Sequence, residues 1–277
     1  MFLRFAYLTP LFLPTKRGTI MAPHDLLRTL RDQNPLVHCI TNYVAMNIAA
    51  NVVLAAGASP AMVHAPEEMA EFTPISGALT INIGTLSAAW LASMTAAATV
   101  ANTHNIPWVL DPVAHSITEY RRGAAQDLLR LRPTIIRGNA SEILGLAGEA
   151  GAGKGADSGD SVAAAQGAAK ALAVQFGTVI AITGPVDYLT DGVREAEVSG
   201  GSALMPQVTA LGCSQTALMG AYAATGPAFD AALAALAHFK VAGTAAAKLA
   251  QGPGSFQMHF LDALAAAQPD DLARVIG

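Results

Sequence analysis

The chain has 277 residues, of which 52% are hydrophobic and only 13% charged, and its formal net charge is −4. Every apolar run stops short of the roughly 18 residues a spanning helix needs, and no Lys/Arg cluster interleaves with aromatics, which argues against membrane and nucleic-acid partners. Two cysteines, Cys39 and Cys213, are too few for a disulfide framework, and neither has a second Cys or His at metal-ligand spacing, so a reducing cytoplasm is the expected location.

In chain order, residues 1–20 read as a disordered extension or as translation begun upstream of Met21, because Pro10 and Pro14 break their apolar part. No charged or Pro-rich linker follows, so one domain is expected over 21–277. Short apolar runs at 36–40, 60–64, 78–84, 107–113, 133–138 and 179–184 predict strands, and the helical stretches between them predict a parallel sheet covered on both faces. The segment 186–198 reads as a hairpin around Asp191 and Gly192, which puts antiparallel strands at one edge. From Ser214 to Ala267 the pattern is helical, broken at Gly226-Pro227 and by a loop, GPGSF, at 252–256. The class is therefore α/β, with three layers and a mostly parallel central sheet.

Open parallel sheets bind ligands outside the carboxyl ends of their strands. Asn82 with Gly84, Asp111, Arg137 with Asn139 and Glu142, and Thr183 with Gly184 all follow directly on apolar runs. Asp111 and Glu142 are hard oxygen donors suited to Mg²⁺ held largely through water, and Arg137 offers a fixed fork for phosphate oxygens. For Asn139 and Thr183 alone, a capping or turn role is the simpler reading. His115 reads as a surface loop residue. GEAGAGKG at 148–155 approaches a phosphate-binding loop, but Gly155 stands where a hydroxyl is required and no buried strand precedes it, so a flexible glycine-rich loop is expected.

The segment VTALGCSQTALMGAYAA, 208–224, predicts a strand end, a Gly212-Cys213 corner and then an apolar helix. The free N–H groups of such a start attract anions, and the helix dipole would lower the Cys213 thiol below its free value of about 8.5. The alternative for Cys213 is a small buried hydrophobe.

Residues 24–268 resemble hydroxyethylthiazole kinases of the ribokinase-like superfamily. PLVHCITNYVAMNIAANVVLAAGASPAM, ALTINIGTLS, WVLDPV, IIRGNASE, VIAITGPVD and GPGSFQ occur in the family's order. The resemblance implies a ribokinase-like sandwich and ATP- and Mg²⁺-dependent phosphorylation of 4-methyl-5-(2-hydroxyethyl)thiazole in thiamine salvage. It also implies a homotrimer with active sites between subunits. By position it implies that Met62, Asn42, Val44 and Ala210 line the thiazole site. Arg137 and Thr183 contact ATP beside Asn139, Asp111 and Glu142 serve magnesium, and Cys213 with Gly212 forms the catalytic corner. Two stretches depart from the pattern: Ala210-Leu211 replaces the residues of GAGC or GTGC, and Ala114-His115-Ser116 replaces a glycine-rich turn. A Cβ at 210 restricts the backbone that aims the N–H donors. The alternatives are a kinase of another small alcohol, such as the hydroxymethylpyrimidine, and a catalytically impaired thiazole or nucleotide sensor.

Overall fold

A computed structural model describes residues 21–148 and 158–277. The proposed extension 1–20 and most of the glycine-rich stretch 148–155 lie outside them. Helix α1 (Pro23–Gln33) leads into β1 (Leu36–Ile40), α2 (Met46–Ala56), β2 (Ser59–Ala61) and the short α3 (Met69–Phe72). Then come β3 (Ala78–Asn82), α4 (Ala88–Thr103), β4 (Trp108–Asp111), α5 (Glu119–Arg130), β5 (Ile135–Asn139) and α6 (Ala140–Leu146). Helix α7 (Ser158–Phe176) precedes β6 (Val179–Thr183) and the hairpin of β7 (Asp187–Thr190) and β8 (Glu195–Val198). The C-terminal part is helical: α8 (Leu211–Ala223), α9 (Ala228–Ala247), α10 (Pro253–Ala266) and α11 (Pro269–Leu272).

The strands form one eight-stranded sheet in the order β2-β1-β3-β4-β5-β6-β7-β8. The first six pair in parallel, and β7 and β8 join antiparallel, as the hairpin reading anticipates. Side-chain alternation splits the apolar residues between two cores. Val37, Cys39, Val109 and Ala181 face a layer containing α1, α2, α8, α9 and α10. Leu79, Ile81, Leu110 and Ile180 face a layer with α4 to α7. Both faces of each parallel strand are thus covered, which is why these strands are continuous apolar runs in sequence.

Three local expectations fail. Several strands end earlier than their apolar runs: Gly84, Pro112-Val113 and Gly184 leave the ladder, and their backbone turns outward at the carboxyl edge. No strand ends at Val208, because Pro206 sits in a 3-10 turn, Met205–Gln207, that runs directly into the turn before α8. GPGSF is mostly helix rather than loop. Pro253 occupies the first turn of α10, where its missing N–H costs nothing, and Ser255 Oγ accepts the N–H groups of Gln251 and Gly252.

Candidate active site

The carboxyl ends of β3, β4, β5 and β6 bring the expected polar residues together. Asn82 lies opposite Asp111 in the β3–β4 register, and Asn139 opposite Thr183 in β5–β6. Arg137 is the centre of the set. Its Nη2 donates to Thr183 Oγ1 at 2.7 Å, and its Nη1 reaches Asp111 Oδ2 at 3.5 Å. Its guanidinium lies so close to Gly212 that a Cβ there would come within 2.8 Å of Nη2. Gly212 is therefore required by close approach, and the fork of Arg137 and the first turn of α8 converge on one point. No side chain caps α8, so its leading N–H groups remain available for an anion.

Asp111 is fully buried. Its Oδ2 accepts from Asn82 Nδ2 at 2.8 Å and Thr216 Oγ1 at 2.6 Å, while its Oδ1 has no partner among the described residues. Burial pushes its carboxyl above the usual range, the Arg137 guanidinium opposes this, and the nearby Glu142 adds to it. Glu142 Oε1 accepts the Ala114 N–H at 3.0 Å, and Oε2 accepts the Asn139 N–H at 2.8 Å. Asn139 Oδ1 in turn caps α6 by accepting the Glu142 N–H at 2.9 Å, so the capping reading of Asn139 holds, although the residue also lines the adjoining cavity. No group of three or more His, Cys, Asp or Glu able to hold a metal occurs among the described residues. The free Oδ1 of Asp111 and its nearness to a second carboxylate suit Mg²⁺ only as an ion completed by phosphate oxygens and water.

Cys213 departs from the sequence expectation. Burial and the neighbouring Asp111 raise its thiol rather than lower it, and hydrogen bonds from Asn82 and Asn42 with the charge of Arg137 only partly offset them. The helix start is as expected, but a buried carboxylate sits beside it. Asn42 reaches this corner, its Nδ2 lying 3.5 Å from Cys213 Sγ. Val44 gives its N–H to Asn42 Oδ1 while its side chain stands exposed, and Met62 follows β2 and packs, partly buried, against the core on that side of the sheet. His115 is buried rather than superficial: Nδ1 meets the Pro112 carbonyl at 3.2 Å, and its ring packs under Gly145.

Both departures at the corners occupy left-handed backbone. Ala210 has φ 57° and Ala114 φ 52°, conformations natural to glycine and costly for any residue with a Cβ. Ala210→Gly is expected to raise stability by about 1 kcal/mol, less what glycine adds to unfolded-state entropy. An increased urea midpoint at constant slope would show it; a lower midpoint would refute the strain.

Beside Arg137 opens a cavity of about 770 Å³ whose lining includes Thr183, Gly184, Gly201, Gln215 and Lys240. Lys240, 4% exposed, donates to the carbonyls of Gly184 and Pro185 at 2.7 and 3.0 Å and pairs with Asp187 Oδ1 at 3.2 Å. Asp187 also accepts the Gly184 N–H at 2.9 Å, so the pair clamps the turn after Thr183. Arg121 similarly ties the loops after β3 and β4 by donating to the carbonyls of Ile83, Gly84 and Val113. Sequence reasoning missed Lys240, Asp187, Thr216 and Arg121. The one available signal was Lys240, a single lysine inside the apolar helical run of 228–247.

The family model for the hydroxyethylthiazole kinase family matches residues 27–270. Over 256 residues the chain is 84% identical to a hydroxyethylthiazole kinase of Roseobacter denitrificans, covering 92% of this chain and all of that one. A solved hydroxyethylthiazole kinase from Pyrococcus horikoshii superposes with a TM-score of 0.85 at 36% identity, covering 92% of this chain and 97% of that chain. A ribokinase-like superfamily protein of Enterococcus faecalis superposes at 0.61 with 10% identity, over 92% of each chain, a likeness of fold alone. With a matching model over most of its length and relatives this similar, the chain belongs to the hydroxyethylthiazole kinase family, and its three-layer sandwich is ribokinase-like.

Proposed function

We propose that this chain, as a single kinase domain, transfers the γ-phosphoryl group of ATP to the hydroxyl of 4-methyl-5-(2-hydroxyethyl)thiazole, a thiamine salvage step. The observation that carries the reading is the convergence of Arg137 on Gly212 at the start of α8, with Cys213 one residue further on. This is a site for a transferring anion with a side chain beside it for the acceptor hydroxyl.

In this reading ATP occupies the cavity bounded by Thr183, Gly184 and Lys240, and its terminal phosphate lies against Arg137 and the free N–H groups at 212 and 213. Such transfers pass through a loose transition state, so positioning and fixed positive charge account for most of the acceleration. Asp111 and Glu142 would hold Mg²⁺ through water, and the ion, when bound, supplies neutralising charge to the phosphates. Asn42, Val44, Met62 and Ala210 border the thiazole. The alcohol oxygen bonds to the γ-phosphorus as the bond to the β-phosphate oxygen breaks, and the hydroxyl proton leaves late to solvent water. A thiol raised by burial stays protonated, so little thiolate is present to act as a base and Cys213 chiefly orients the hydroxyl by hydrogen bonding.

Cys213→Ala is expected to lower turnover about tenfold with ATP binding retained, the scale of one lost hydrogen bond. Steady-state kinetics with nucleotide titration would check this, and unchanged turnover would remove Cys213 from the mechanism. We also infer a homotrimer with sites between subunits, acting in the cytoplasm. Exposed Tyr43 and Val44 beside Asn42 supply apolar surface for such contacts, and no described helix is long and apolar enough to cross a membrane.

The deciding experiment is ADP production with ATP and Mg²⁺, with and without the hydroxyethylthiazole and with the hydroxymethylpyrimidine as control. Thiazole-dependent turnover supports the assignment. Turnover with only the pyrimidine overturns the substrate, and thiazole binding without ADP formation makes the chain a sensor.

A further inference from the structure

Two amide side chains, from segments 40 residues apart, connect the cysteine corner to the buried carboxylate. Asn42 Nδ2 donates to Asn82 Oδ1 at 2.7 Å and points at Cys213 Sγ at 3.5 Å, and Asn82 Nδ2 donates to Asp111 Oδ2 at 2.8 Å. An amide can turn over by half a rotation, so its direction must be fixed by something that cannot reverse its own role. Backbone N–H groups do this at both residues. Asn42 Oδ1 accepts the N–H groups of Val44 and Ala45, each at 3.0 Å, and Asn82 Oδ1 accepts that of Gly84 at 2.9 Å. A backbone N–H only donates, so both oxygens are fixed and both NH₂ groups must point onward.

We propose that Asn82 is a positioning residue for phosphoryl transfer: it holds the Asn42 NH₂ against the Cys213 sulfur, which makes the sulfur a hydrogen-bond acceptor there and turns its S–H away from Asn42. This rests on the kinase reading for its catalytic meaning, while the hydrogen-bond direction stands on the geometry alone. Gly84 supports the same arrangement. A Cβ at 84 would meet Asn42 Nδ2 at 2.5 Å and Cγ at 2.6 Å, so the chain leaves the side chain out where the amide must pass. The charged groups acting on the sulfur are Asp111 and Arg137, and neither donates to it. Asn42 has two onward contacts, and the one to the sulfur is long. With Asn82 removed, the backbone N–H groups still fix the Asn42 oxygen, but its NH₂ loses the acceptor that sets its position beside the sulfur, and the contact of Asn82 itself with the sulfur goes too.

The test is the rate of Cys213 alkylation by iodoacetamide in the full chain at one fixed pH near 8, with Cys213→Ala as blank and Cys39 fully buried. A donor to sulfur favours the thiolate, so Asn82→Ala should slow alkylation about tenfold, the equivalent of one unit in thiol pKa. Gly84→Ala, which displaces the Asn42 amide without deleting it, should slow it in the same direction. Thr216→Val removes another donor from the same Asp111 oxygen but leaves both amides in place, so it should stay within about twofold of the parent. In turnover, Asn82→Ala should lower kcat and leave the ATP KM within about twofold, a split that loosened packing alone would not give.

A fall in Asn82→Ala cannot come from a more open pocket, which only speeds the reaction, and alkylation at or above the parent rate overturns the proposal. An equal fall in Thr216→Val also overturns it. If Asn82→Ala does not fold, Gly84→Ala decides by the same criterion. The thiol readout needs no substrate, so a failed kinase assay leaves it intact.

Discussion

Arg137→Met is expected to lower kcat/KM by two to three orders of magnitude, the measured scale for removing one preorganised donor from a transition-state charge. Methionine fills much of the same space but has neither the fork that reaches Thr183 Oγ1 nor the charge that lies against Gly212. The loss should fall on kcat more than on the thiazole KM, because in the proposed mechanism the guanidinium meets the transferring phosphoryl and not the acceptor. A second effect separates this from general damage. Arg137 is the only cation among the described residues paired with the buried Asp111, and breaking a buried pair by removing one member typically costs about 3–5 kcal/mol. Asp111 is already raised by burial, and without Arg137 it rises further. Such a carboxyl binds its proton more tightly folded than unfolded, so stability is retained below the unfolded pKa and falls as pH climbs through the folded one. Magnesium-free Arg137→Met should therefore be close to the parent at about pH 4 and clearly less stable at about pH 8. Equal destabilisation at both values would mean that the arginine is packing material and Asp111 is indifferent to it.

The parallel strands were readable because each is buried on both faces, so β1, β3, β4, β5 and β6 stand out as apolar runs between helical stretches. Asp111, Arg137 and Thr183 were readable for a related reason: a polar residue directly after such a run must emerge at the carboxyl edge. What the sequence hid depends on neighbours distant along the chain. The first turn of α8 was legible, but the sign of the Cys213 shift was not, because it is set by Asp111, brought in from β4 by strand order. The same holds for His115, which is buried under Gly145 of α6 although its own segment looks like a surface turn. Asn42 and Asn82 become partners only once β1 and β3 are adjacent. The alanines at 114 and 210 could be noted as substitutions, yet only the backbone angles show that both sit where glycine is favoured.

Lys240→Met is expected to be the most destabilising single change at the cavity, by about 3–5 kcal/mol, because it strands Asp187 in a site where that residue is 1% exposed. Among the described residues Asp187 Oδ2 already lacks a partner, and burial already raises its carboxyl, with Lys240 the largest opposing influence. The lysine also satisfies the carbonyls of Gly184 and Pro185, which no other described side chain reaches. Adding Asp187→Asn should restore most of the lost stability: an amide carries no charge to strand, and its oxygen can still accept the Gly184 N–H. Function should not recover in parallel. Both the single and the double variant lack the ammonium that pins the 184–185 turn, so both should show an ATP KM raised about tenfold with the thiazole KM little changed, a loss of uniform nucleotide binding. Thermal melts and steady-state kinetics on the two variants check this together. If the double variant regains the parent KM for ATP along with its stability, the pair only holds the fold. If KM stays high while stability returns, Lys240 shapes the nucleotide site through the turn it clamps.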